Sequence, residues 1–279
     1  MAAVGPLVDG RWLQEHLGEP GLRVIDLRWY LDGRSGRAAY EAGHIPGAAF
    51  VDLDSEITGR IRGQGRHPLP ARENFELAMR RAGVGRKSHV VVYDDQGGFS
   101  AGRLWWLLRY FGHADVAVLD GGLAAWPGEL STDAAHVAPG DFVASPARES
   151  AKLDFEELRG SAAGLVLLDA RSGDRFRGEV EPIDPKAGHI PGARSVPWQS
   201  NLDGQKRFLP RDQLRRHFQQ LGVRSGDQVV AYCGSGVSAC HHLLALEVAG
   251  LPGARLYPGS WSDWSTRDDA PVATGPEET

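Results

Sequence analysis

Short apolar runs alternate with stretches whose apolar residues recur every three or four positions, and this alternation is written twice along the chain. The pattern over residues 9–17 predicts an amphipathic helix, as does that over 154–159. Each precedes a strand ending in Asp-x-Arg: Val24-Ile25-Asp26-Leu27-Arg28 in the first half, Leu167-Leu168-Asp169-Ala170-Arg171 in the second. Helical spacing returns after a Leu-Pro pair, over residues 73–81 and again over 212–221, where Asp212 stands at the N-cap position. The runs Val91-Val92-Tyr93 and Val230-Ala231-Tyr232 are apolar and β-branched, which predicts buried strands. A loop, a long helix, a short strand (116–119 and 254–257) and a Gly-Trp segment close each half. Strands alternating with helices imply the α/β class, with a parallel sheet flanked by helices in each half.

The two halves are copies of one domain. Ala42-Gly43-His44-Ile45-Pro46-Gly47-Ala48 returns 145 residues later as Ala187-Gly188-His189-Ile190-Pro191-Gly192-Ala193. Leu69-Pro70 returns as Leu209-Pro210, Gly83-Val84 as Gly222-Val223, and Gly121-Gly122-Leu123-Ala124-Ala125-Trp126 as Gly259-Ser260-Trp261-Ser262-Asp263-Trp264. The spacing drifts by a few residues between landmarks, as loop-length changes produce. The domains are expected at 1–130 and 150–267. Residues 131–149, with Pro139-Gly140 and Pro146, read as a linker, and the acidic segment 268–279 reads as a disordered tail.

The copies differ where chemistry is expected. After Tyr232 comes Cys233-Gly234-Ser235-Gly236-Val237-Ser238, and then a helical run that ends at Gly250. A cysteine is thus predicted at the C-terminal end of a strand, in a small-residue loop opening onto a helix N-terminus, where open α/β sheets bind ligands. Glycines let the loop curl so that backbone N–H groups point inward, and the helix start adds partial positive charge. Both favour a thiolate nucleophile over a buried structural thiol. Cysteine phosphatases use a related loop with an arginine six positions after the cysteine; that position is Ala239, so no guanidinium is available there to clamp a phosphate. The counterpart of Cys233 in the first copy is Asp94, which cannot act as a sulfur nucleophile. One site per chain is expected.

Composition narrows the classes further. The chain has 279 residues, enough for two ordinary domains, and its net charge of −5 gives no general attraction to nucleic acid or anionic membrane. Cys233 and Cys240 are its two cysteines. They lack CxxC spacing, so neither a disulfide framework nor a zinc site is expected, and a reducing, cytoplasmic location is. No run of about 18 apolar residues is present, and the N-terminus lacks the basic and apolar regions of a secretory signal.

The duplicated His-Ile-Pro-Gly-Ala, the Cys233 loop and the Gly259-to-Trp264 segment together resemble the two-domain rhodanese-type sulfurtransferases, from about Leu7 to Trp264. The resemblance implies tandem rhodanese-like domains, each with a five-stranded parallel sheet, and a catalytic site in the second. The neutral Gly234-Ser235 pair is similar to the 3-mercaptopyruvate form of the loop, where thiosulfate-specific members carry a basic pair. Sulfur transfer from 3-mercaptopyruvate through a Cys233 persulfide to a thiol, such as a dithiol protein, or to cyanide is therefore expected. Thiosulfate:cyanide transfer and a persulfide carrier that docks a protein acceptor are the alternatives. No cofactor or metal is called for, and a monomer without nucleic-acid or membrane partners is expected.

By the same resemblance, Gly234, Gly236, Val237 and Ser238 would cradle substrate, Arg175 would clamp its anion and Phe99 would be a cleft aromatic. Ser235 and His44 match the serine and histidine of a relay, with Asp32 the nearest acid. The alternative for His44 is a turn-stabilising role shared with His189. The second arginine of the mercaptopyruvate enzymes has no counterpart in Glu181-Pro182-Ile183-Asp184-Pro185-Lys186, where Lys186 is the nearest substitute. Trp29, Trp261 and Trp264 are read as packing residues, Cys240 as a buried apolar residue, and His241 and His242 as facing solvent, one or both.

Overall fold

Five strands in the first half carry the apolar runs, and all pair in parallel. The computed structural model describes residues 5–63, 65–135, 137–160 and 164–276, which divide into two units. In the first, β1 (Leu7–Val8), β2 (Leu22–Asp26), β3 (Ala49–Phe50), β4 (His89–Tyr93) and β5 (Val116–Leu119) are ordered β1-β5-β4-β2-β3. Every residue of β4 is buried, as expected of a central parallel strand with both faces covered. The helices are α1 (Gly10–His16), α2 (Gly36–Ala42), α3 (Leu53–Glu56), α4 (Arg72–Arg81) and α5 (Ala101–Tyr110). Asp9 caps α1 by accepting from the Trp12 N–H at 2.7 Å. In α4 the buried face is Phe75, Ala78 and Met79, the spacing of one helical stripe.

The second unit repeats the plan: α6 (Phe155–Gly160), β6 (Val166–Asp169), α7 (Gly173–Arg177), β7 (Ala193–Ser195), α8 (Arg211–Gln220), β8 (Val229–Tyr232), α9 (Ala239–Val248), β9 (Arg255–Leu256) and α10 (Ser260–Trp264). Its parallel sheet is ordered β7-β6-β8-β9 and has four strands rather than the five expected. The fifth is reduced to one parallel bridge, Lys152 to Leu256, because the chain turns at once into α6. There Asp154 and Glu157 exchange side-chain and backbone hydrogen bonds at 2.8 and 2.9 Å in a capping box. Helix α8 starts at Arg211 with Pro210 at the N-cap, so Asp212 lies in the first turn and not at the cap.

The repeated motifs hold the scaffold together. Arg28 pairs with Asp26 at 2.7 Å and donates to the Gly43 carbonyl; Arg171 does the same with Asp169 at 2.6 Å and with Gly188. Each pair ties the end of a strand to the His-Ile-Pro-Gly turn. The hydroxyls of Tyr93 and Tyr232 accept the Ile45 and Ile190 N–H groups, both at 3.2 Å.

Unit boundaries differ from the expected ones. Residues 131–135 and 137–148 form a strap on the first unit, not a linker: Ser131 pairs with His44, Phe142 and Ala144 are buried, and Gly140 N–H donates to the Arg80 carbonyl. An apolar Phe142 supplies the reason. Residues 268–276 pack on the second unit, with Ala273 bridged to His189 and Trp264 Nε1 donating to Pro271, so the expected disorder does not extend over them; 277–279 lie outside the described residues. Gly59–Leu69, from the first repeat, belongs to the second unit, and Leu202–Phe208, from the second repeat, to the first.

Candidate active site

Cys233 follows the last residue of β8, a fully buried strand between β6 and β9, and the loop 233–238 leads into α9. Its sulfur accepts the Gly236 N–H at 3.1 Å. Gly236 has φ +80°, and a Cβ there would stand 2.6 Å from the Pro258 carbonyl oxygen, so both the turn and the packing demand glycine. The loop is pinned from behind. Ser260 holds a left-handed φ of 52°, costly for a serine, and from it the hydroxyl accepts the Cys233 N–H at 3.1 Å and donates to the Tyr257 carbonyl. Trp261 and Ser262 N–H groups donate to the Cys233 and Gly234 carbonyls, both at 2.9 Å. Cys240 is buried in the first turn of α9, its thiol donating to the Gly236 carbonyl at 3.4 Å.

Two guanidinium groups flank Gly234. A Cβ there would lie 3.0 Å from Arg66 Nη2 and 3.4 Å from Arg175 Nη1. Arg175 is positioned by Glu181 (2.7 Å) and Asp184 (3.2 Å). Arg66 pairs with the other oxygen of Asp184. The Glu181 carboxylate also meets Arg171 at 3.3 Å. Burial pushes the Asp184 carboxyl above the usual range; Arg66 and Arg175 pull it down, and Glu181 pushes it up again.

Segment 59–69 brings a second group. Ser262 Oγ accepts the Arg66 N–H at 3.1 Å, and the next residue, buried His67, has Nδ1 2.7 Å from Ser235 Oγ. The assignment of His44 to Ser235 is corrected on this point: the imidazole at Ser235 is His67. His44 is held in the first unit, with Nδ1 on the Tyr40 carbonyl at 2.9 Å and its ring stacked on Tyr40 at 3.8 Å. His189 makes the same two contacts with Phe176 in the second unit. A motif that recurs with identical contacts serves the turn. Asp32 pairs with exposed Arg34.

The other expected residues are placed as follows. Val237 and Ser238 are buried in the loop, and Ser238 is the N-cap of α9 without a side-chain cap bond. Phe99 is half-buried in the first unit, stacked on Trp29 at 6.1 Å. Lys186 does not substitute for a second arginine, because its ammonium donates to the Arg267 carbonyl at 2.6 Å. His241 and His242 are both fully buried, contrary to the solvent-facing expectation, because α9 is covered on every side.

Asp94 provides an internal control. In the first unit its carboxylate fills the corresponding loop and accepts the N–H groups of Gln96, Gly98, Ser100 and Ala101 at 2.8–3.0 Å. The loop between strand and helix is thus built to converge backbone donors on an anion. Arg66 and His67 were missed from sequence because they are not repeated. In the alignment that matches Leu69-Pro70 to Leu209-Pro210 they stand opposite Lys206 and Arg207, and that mismatch was the available sign.

Fold and site define a duplicated α/β protein with a buried cysteine in the strand–loop–helix of its second unit. Residues 9–129 and 153–267 each match the rhodanese-like domain. The chain belongs to the rhodanese-like family. It is 47% identical over 279 aligned residues, 96% of this chain and 98% of the other, to a Pseudomonas aeruginosa protein named a probable 3-mercaptopyruvate sulfurtransferase. It is 42% identical, over 92% of each chain, to a Mycobacterium tuberculosis protein provisionally named a thiosulfate sulfurtransferase, SseB. The crystal structure of SseA from Escherichia coli, described among 3-mercaptopyruvate sulfotransferases, matches with a TM-score of 0.82 at 35% identity, over 93% of this chain and all of that one.

Proposed function

We propose that the chain transfers sulfur from 3-mercaptopyruvate to a thiol acceptor through a persulfide on Cys233. The observation that carries this is the grouping around Gly234: a sulfur held by a backbone N–H, two guanidinium groups, and a Ser235–His67 pair. Arg175, with Arg66, holds the donor carboxylate, since a guanidinium fork matches carboxylate geometry. The Cys233 thiolate attacks the donor sulfur, the carbon–sulfur bond breaks, and its electron pair leaves as the enolate of pyruvate. The proton on the transferred sulfur passes to the enolate carbon, and Ser235 with His67 is the group placed to carry it. Loop N–H donors stabilise negative charge on the outer sulfur of the persulfide. An acceptor thiolate then attacks that sulfur and releases Cys233.

Sulfur transfer from thiosulfate is the second reading. Two guanidinium groups suit a dianion, and the M. tuberculosis relative carries thiosulfate in its name. The neutral Gly234-Ser235 pair favours the monocarboxylate. A dithiol protein as acceptor, a monomeric state and a cytoplasmic location complete the proposal. Two free cysteines support that location; among the described residues no helix is long and apolar enough to cross a membrane. Initial rates with each donor and cyanide as acceptor test the reading. Wild type is expected to prefer mercaptopyruvate, and Cys233→Ser to lose turnover with both. Residual transfer in that variant would sink the assignment.

A further inference from the structure

Asp184 is a buried carboxylate whose two oxygens go to two different arginines, Oδ1 to Arg66 and Oδ2 to Arg175. Both arginines border Gly234, where the donor anion binds if the function proposed above is right. Apart from the Cys233 thiolate, the surrounding side-chain charges balance before any donor arrives. Arg66 and Arg175 face Asp184 and Glu181, while the remaining cation, Arg171, is matched by Asp169. Asp184 and Glu181 side chains are each 3% exposed, so water screens these carboxylates little.

A mono-anionic donor arriving here adds one negative charge to a balanced cluster. A dianion adds two, in a partly dehydrated site where each like-charge contact is felt strongly. The same carboxylate fixes the direction of both guanidinium groups, because each donates one N–H to it and keeps others for the donor. We propose that Asp184 is the donor-specificity determinant of this site. It positions Arg66 and Arg175 around Gly234 and cancels the surplus positive charge that a dianionic donor such as thiosulfate requires. Arg66 is accordingly the second anion-binding arginine, delivered by segment 59–69 and not by the loop after α7.

Charge-swap kinetics test this. Asp184→Asn keeps the shape and leaves the cluster one unit more positive; the ratio of kcat/KM for thiosulfate to that for mercaptopyruvate is expected to rise about tenfold, mainly through a lower KM for thiosulfate. Arg66→Gln leaves the cluster one unit more negative and is expected to lower the ratio. The double variant restores the balance and returns the ratio toward wild type, and Asp184→Glu retains it. Should Asp184→Asn fail to fold, Arg66→Gln carries the test alone: equal losses for both donors overturn the proposal. With wild type preferring mercaptopyruvate, an unmoved ratio in folded Asp184→Asn overturns the role of Asp184 and leaves the proposed function standing. A wild type that prefers thiosulfate overturns both.

Discussion

At the scale of single residues, Ser235 and His67 form a unit. The 2.7 Å contact joins two buried groups, so removing either one interrupts the route of the proton that the proposed mechanism moves through them. His67→Gln and Ser235→Ala are each expected to lower kcat with mercaptopyruvate by about 10²–10⁴-fold, the range for a positioned proton carrier. The double variant is expected to be little worse than either single one. Additive losses would show that the two residues act separately. Asp94 makes the opposite prediction, on stability. Asp94→Ala leaves four converging backbone N–H groups unanswered in the first unit and should cost at least ~3 kcal/mol by urea unfolding, with donor KM unchanged. Repetition explains why His44 was legible and His67 was not. What recurs in both copies is what the fold needs twice, whereas Cys233, Arg66 and His67 are needed once and leave no periodic trace.

Among the elements, the strand–loop–helix around Cys233 was the most legible. Val229–Tyr232 is short, apolar and fully buried, and the glycines after it fit only a sharply turning loop. Helix α9 was legible in extent but not in surroundings. A histidine pair reads as polar, yet both rings are buried beside Asn201, which lies 3.2 Å from His241 Nδ1 and 2.8 Å from His242 Nδ1. His242 Nε2 meets the Val196 carbonyl at 2.6 Å. Tertiary partners that sequence does not display make the burial tolerable. Burial lowers the His242 pKa to about 4, the Val196 carbonyl opposing the shift. The unfolded chain takes up this proton near pH 6.5, before the folded one does. Stability is therefore full above that pH and falls as the pH drops toward 4, by ~3 kcal/mol from this group. Burial lowers His113 and His217 as well, so they add to the same trend. Comparing urea midpoints of wild type and His242→Gln from pH 7 to 4 isolates the His242 share; parallel curves would refute it.

For the whole molecule, the duplication and two parallel sheets follow from the sequence, while the four-stranded size of the second sheet and the exchange of short segments do not. Nothing in the composition of residues 59–69 says that this stretch belongs with the second sheet; Ser262 and Ser235, nearly 200 and 170 residues away, hold it there. A chain of residues 149–276 keeps Cys233, Arg175 and Asp184 but has neither Arg66 nor His67. Its transfer rate is expected to fall by at least about 10²-fold. Circular dichroism would report its fold, and a peptide spanning 59–69 is expected to restore part of the rate. Full activity without the peptide would show that the segment is dispensable.

The placement of that segment also bears on inheritance. Two repeats of similar length invite unequal recombination at their shared motifs, and a recombinant could acquire a foreign second repeat that folds well. Such a chain would receive a Cys233 loop and lose its match to His67 and Arg66, which are encoded upstream in the partner repeat. On the proposed function the two repeats are inherited usefully only as a pair, because Arg66 and His67, which meet Gly234 and Ser235, are written in the repeat that carries Asp94 in place of Cys233.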